Sequence, residues 1–258
     1  MFDLTHILYM VITGLIGAAL GIGFILLKSD RLYRVFIRFF AILTLVIQYS
    51  ILWVDYFSTG EAKVHGDLLL PIYPCNICMW LLLFSAIFID NKSLAVKLLH
   101  NFTFLATCIC CAIGVIFNYN YAATPDLGNY YILKGLLTHS TTFYGALLLF
   151  LSGRVVLTVK RSLASVISGL TVFIIDGVFV NTVYALCGLP PVNAMYLLEP
   201  PFPAIPWFST AMIGLLAIIV TLLISVPYEL IMRRADKRTE PKAATCERGE
   251  EGAPEVTL

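Results

Sequence analysis

Of the 258 residues, 59% are hydrophobic and only 13% charged, so the chain cannot cover itself as a soluble globular domain does with about 25% charged residues. The mean hydropathy of +0.88 agrees. A net charge of +1 without a basic stripe gives nucleic acid no surface to bind, and no segment reads as a soluble catalytic domain.

Seven apolar stretches follow in chain order: Ile7 to Leu27, Val35 to Val54, Leu69 to Ile89, Leu98 to Asn118, Tyr131 to Leu151, Leu163 to Cys187, and Trp207 to Met232. Each has the length of a crossing, roughly 20 residues. Helices are expected, because backbone in lipid must satisfy its own hydrogen bonds, and the alternation of a barrel strand is absent. The first stretch lacks the basic flank of a cleavable signal peptide. Fifteen of the 17 Lys and Arg fall in alternate connections and the C-terminal segment, leaving only Lys63 and Lys134 on the other side. That bias predicts an N-terminus outside and a C-terminus in the cytoplasm. The expected organisation is an all-α, seven-helix membrane domain over residues 1–232, followed by a polar tail over 233–258 without regular structure. The expected location is a cell membrane, the cytoplasmic membrane if the source is bacterial.

The third stretch opens Leu69-Leu-Pro71-Ile-Tyr-Pro74-Cys75-Asn76-Ile-Cys78. Proline suits the first helical position, so Pro74 is expected to start the helix after an irregular lead-in from Leu69 to Tyr73. Cys75 then lies in the first turn, at the positive end of the helix dipole, where a thiolate is favoured. The plain alternative is a small buried side chain. In the fifth stretch, His139 is expected about 12 Å below the outer face, at 1.5 Å per residue. If the third and fifth helices are neighbours, thiol and imidazole can meet, and that pair is the unit of cysteine nucleophilic catalysis. A helix-packing hydrogen bond is the other reading of His139. His6 and His65 are expected near or beyond the outer boundary, and His100 at the cytoplasmic end of the fourth helix.

More polar residues gather in the outer half: Asn118, Asn120, Asn181 and Asn193. Asp176 is deeper, about 17 Å below Cys187, where an acidic group points to function or to a protonated packing role. Asp55 and Gln48 on the second helix could act similarly. Cys108, Cys110 and Cys111 read as packing, Cys246 as inert, and no residue set suggests a metal or a cofactor. The proline-rich segment Pro190 to Pro206 reads as a stiff interfacial turn, with Trp207 as anchor, or as a lid.

Three motifs in order resemble the YwaF-like family of bacterial membrane proteins, related to the animal transmembrane protein 164 family. They are Leu70-Pro71-Ile-Tyr-Pro74-Cys75, Thr138-His139, and Asn193-Ala-Met195-Tyr196-Leu197 with Pro206-Trp207 downstream. The resemblance covers roughly residues 45 to 210. It implies a cysteine acyltransferase acting on phospholipids or lysophospholipids, with Cys75 as nucleophile and His139 as general base. Asn76, Asn181 or the first-turn N–H groups could hold the oxyanion, whereas Asn193 and Tyr196 match the loop motif without an assigned role. Cys78 is not required by the family pattern.

Two other functions stay open. Cys75 and Cys78 form a C-x-x-C pair similar to that of DsbB-type disulfide oxidases, although only Cys187 lies near the outer surface to complete a relay. Asp176 and the outer polar cluster could instead hold a small molecule or ion for binding or transport. Retinal chemistry is excluded, since the last helix carries no lysine.

Overall fold

A computed structural model describes residues 3–61, 66–118, 121, 125–201, 205–207 and 209–247, with the side chains of 67, 69 and 236–247 left aside. Lys63, His65, Asn120, Phe202 and Pro203 lie outside the described residues, and the Cys246 side chain is among those left aside. The protein is helical, and the described residues contain no strand. Its helices are α1 (Leu4–Leu27), α2 (Asp30–Thr59), the short α3 (Gly66–Leu69), α4 (Pro74–Ile87), α5 (Leu94–Ile116), α6 (Tyr130–Leu151), α7 (Val159–Leu186) and α8 (Thr210–Glu247). Asp3, Ser29, Ser93 and Asn129 cap α1, α2, α5 and α6 by accepting N–H groups of the first turn.

The seven long helices coincide with the seven apolar stretches, with differences of physical interest. Five helices are long and apolar enough to cross a membrane: α1, α2, α5, α7 and α8 over Thr210–Ala235. Helix α6 is long but carries Thr138, Ser140, Thr141 and Thr142, all buried. It packs against α1, α2, α4 and α5, so protein rather than lipid receives those hydroxyls. Helix α4 has only 14 residues, about 21 Å at 1.5 Å per residue, against a hydrocarbon core of about 30 Å. The stretch expected to span from Leu69 therefore becomes helical only at Pro74, after the irregular lead-in. Helix α8 continues beyond Met232 to Glu247, through residues expected to lack regular structure. Their Ala, Arg, Lys and Glu are favourable helix formers.

Ion pairs gather alternate connections at one end of the bundle. Arg34 pairs with Asp30 (3.0 Å) and Asp90 (3.1 Å), and Arg154 with Asp30 (2.9 Å). The α1–α2, α4–α5 and α6–α7 junctions thus share the basic end. Glu229 of α8 joins them by accepting the Val159 N–H at 2.7 Å. At the far end, Asp3 accepts the His6 N–H and the Tyr121 hydroxyl. Those donors hold its carboxyl below the usual range, and the same bond pushes the Tyr121 hydroxyl up to about 12.

The core sets the register that matters for the site. Gly145 of α6 faces Leu82 of α4 so closely that an added Cβ would lie 2.6 Å from a Leu82 methyl. Both helices run from the far end toward the basic end.

Candidate functional site

Because α4 and α6 run parallel with Leu82 against Gly145, Cys75 and His139 come to the same level. Cys75 is seven residues above Leu82 and His139 six above Gly145, about 10 and 9 Å respectively. Asn76 builds the start of α4: its Oδ1 accepts the Tyr73 N–H (3.1 Å), and its own N–H reaches the Tyr73 carbonyl (2.9 Å). Its carbonyl oxygen is thus committed to the cap.

The cysteines of the third and fourth stretches form one cluster. Cys78 is fully buried, within hydrogen-bonding reach of Cys110 and Cys111 on α5. Cys75, partly exposed, lies close enough to Cys78, Cys111 and Tyr196 to interact electrostatically. In the C-x-x-C pair, then, Cys78 turns inward to α5 while Cys75 is only partly buried. Among the described residues no group of three or more His, Cys, Asp or Glu is arranged to hold a metal ion.

His139 Nδ1 lies 2.7 Å from the Gly135 carbonyl. Donation to that acceptor assigns the proton to Nδ1 and leaves Nε2 as the basic nitrogen. Nε2 rests on α5 at Gly114, one turn beyond the Cys110–Cys111 pair, so close that a Cβ there would stand 2.4 Å away. No hydrogen bond joins His139 to Cys75 among the described residues; they share a level and the face of α5. His6, expected at the boundary, is fully buried, and its Nε2 lies 2.8 Å from the Val115 carbonyl at the end of α5.

The loop after α7 closes over the start of α4. The Met195 N–H donates to the Ile72 carbonyl (2.8 Å), the Ala194 N–H to Asn181 Oδ1 (3.0 Å), and the rings of Tyr73 and Tyr196 lie 5.8 Å apart. Met195 (φ 52°) and Tyr196 (φ 56°) are both left-handed, a rare and costly conformation for such side chains. Asn193 holds the turn: its Oδ1 accepts the N–H groups of Leu198 and Glu199, and its Nδ2 donates to the Glu199 carbonyl. Asn181 and Asn193 therefore bind loop backbone, which accounts for their place at the end of the bundle away from the basic cluster. Removing the bonds of Asn193 by Asn193→Ala should cost about 1–2 kcal/mol, read as a lower thermal unfolding midpoint in detergent.

Below the loop lies an apolar cavity of about 360 Å³ between α5, α7 and α8. Pro74, Cys110 and Tyr196 close its upper end, while Phe102, Val166 and Ala217 line it further down. From Cys110 to Phe102 along α5 is about 12 Å. Asp176 is not among its lining residues; it is half-buried on α7, with one carboxylate oxygen enclosed and without a hydrogen-bond partner among the described residues. Asp55 accepts the Tyr131 hydroxyl, which ties α2 to α6.

Every motif of this site falls inside residues 1–228, the stretch that matches the TMEM164 family. The chain belongs to the TMEM164 family. Of the two family names that the motifs suggest, this is the one matched, and the match takes in all seven long helices as far as Tyr228 of α8. Nothing among curated proteins or solved structures matches the chain. Within this TMEM164-family chain, sequence reasoning missed Cys110 as a cavity wall, Tyr73 as the stacking partner of Tyr196, and Gly114 as the seat of the imidazole. A glycine within the last turn of an apolar helical stretch, where it costs up to about 1 kcal/mol relative to alanine, is the signal for Gly114.

Proposed function

We propose that the chain is a phospholipid acyltransferase with Cys75 as nucleophile and His139 as general base, working in the leaflet at the far end from the basic cluster. The observation that carries this reading is the apolar cavity, whose upper end is walled by the residue before Cys75 and by Tyr196. Its lining suits an acyl chain, and each buried methylene is worth about 0.8 kcal/mol. A chain lying there presents its ester carbonyl toward the first turn of α4.

Chemistry follows from the proton positions. Nε2 of His139 takes the Cys75 proton, and the thiolate attacks the ester carbonyl. The C–O bond breaks, the departing lysophospholipid oxygen receives the proton from His139, and the acyl group remains on Cys75 as a thioester. A second lysophospholipid hydroxyl gives its proton to Nε2 and attacks the thioester, which releases the thiolate to be reprotonated. No hydrogen bond joins thiol and imidazole among the described residues. Such contacts commonly tighten only in the bound complex.

The test is lipidomics on cells producing the wild type, Cys75→Ser, Cys78→Ser or His139→Ala. Loss of acyl remodelling in the Cys75 and His139 variants, with Cys78→Ser active, supports the reading. Loss confined to Cys78→Ser would favour thiol–disulfide chemistry, and no lipid change in any strain would favour binding or transport. A finer outcome concerns chain length. Ala217→Phe fills the lower cavity and should shift transfer toward shorter acyl chains by about one order of magnitude, since two methylenes are worth about 1.6 kcal/mol. Competition between short- and long-chain donors, measured by mass spectrometry, checks it.

A further inference from the structure

The basic end of the bundle holds a second cavity, of about 480 Å³, polar where the first is apolar. Arg34, Lys92, Lys97, Arg154 and Arg161 line it against only two carboxylates, Asp30 and Asp90. Those carboxylates are already shared. Arg34 and Arg154 each bridge both, and Arg38 adds a contact to Asp90. Among the described residues Lys92, Lys97 and Arg161 have no carboxylate at ion-pair distance, so the cavity carries excess positive charge.

A charge bias between loops would by itself place cations at this end. It would not bury an unpaired ring nitrogen beside them. His100 is 2% exposed and lines the same cavity, and its Nε2 is shut from solvent with no hydrogen-bond partner among the described residues. Buried polar atoms are seldom left so, and an orphan invites an explanation such as a ligand. The wall is also built rather than loose. Asn101 clamps Val156 in both directions, Nδ2 to its carbonyl (2.7 Å) and Oδ1 from its N–H (3.0 Å). Val155 and Leu157 are buried, which draws the α6–α7 connection into the bundle and keeps the Arg154 side chain 15% exposed.

We infer that this cavity binds a phosphate group. A phosphate offers several oxygens to guanidinium and ammonium donors at once, and a small turn of the His100 ring would bring Nε2 to one of them, the nitrogen accepting from a P–OH. The group can come from the headgroup of an anionic phospholipid or from a water-soluble phosphate ester. This inference stands apart from the acyl-transfer reading and uses none of its residues.

The experiment is calorimetric titration of the purified full chain in phosphatidylcholine nanodiscs at low salt. The probes are glycerol 3-phosphate and dioctanoyl phosphatidic acid, with glycerol as the uncharged control. Saturable binding of at least one phosphate probe, weakened about tenfold or more by Lys97→Gln with Arg161→Gln and also by His100→Leu, supports the site. The Lys97→Gln and Arg161→Gln changes leave the Asp30–Arg34–Arg154 pairs in place, so the ligand-free unfolding midpoint should be unchanged. Binding of the lipid alone assigns the headgroup as the source; binding of glycerol 3-phosphate assigns a soluble ester. No saturable binding of either probe, or affinities unmoved by the substitutions, overturns the inference.

Discussion

Replacing Cys75 by serine is expected to lower acyl transfer by more than about 10³-fold, as removal of a catalytic nucleophile does. The thiolate is the reactive species, and serine at this position has no comparable anion near neutral pH. Pro74 fixes where the first turn of α4 begins and so places Cys75 in it. Cys78→Ser, one turn further in and packed on Cys110 and Cys111, should retain transfer. The decisive measurement is acyl exchange between one defined phospholipid and one lysophospholipid in proteoliposomes. Intact-mass detection of an acyl adduct, lost in Cys75→Ser, accompanies it. Full transfer by Cys75→Ser would end the nucleophile assignment.

Gly114→Ala should also slow transfer, by about 10²-fold, although residue 114 bears no chemistry. The added Cβ would stand 2.4 Å from Nε2 and 2.5 Å from Cδ2 of His139, a ring tethered through Nδ1 to Gly135. The imidazole or α5 must move. A displacement near 1 Å at a catalytic group can cost about 10²-fold in rate. Overpacking adds roughly 1–3 kcal/mol of destabilisation, visible in thermal unfolding. A double-mutant cycle separates the two effects. If Gly114 acts through the imidazole, Gly114→Ala adds little to the rate loss of His139→Ala. Additive losses would show that Gly114 serves packing alone and would weaken the base assignment.

The two cavities divide the molecule by solvent. One, apolar, lies below the loop and beside the thiol cluster; the other, polar, lies at the basic end. Helix α5 contributes to both, Cys110 to the first and His100 to the second. It packs against α4, α6 and α7, so it forms the common wall of the site and the basic end.

Composition and periodicity by themselves determined that the chain is a bundle of membrane helices, because each stretch must satisfy its own backbone and the charges collect in alternate connections. Pro74 marked the start of α4 for a local reason, its fixed φ and missing N–H. That alone sets Cys75 in a first turn. Local rules could not say which helices touch. The parallel register of α4 and α6 rests on Gly145 against Leu82, a contact 63 residues apart in the chain. At that register Cys75 and His139 come level. The asparagines show the other side of the same lesson. Asn76 and Asn181 look like oxyanion groups by position, yet in the fold each anchors backbone through its Oδ1, so that only its Nδ2 could serve an oxyanion. Which polar group remains for a ligand depends on hydrogen bonds formed between distant segments, and these exist only once the helices have packed.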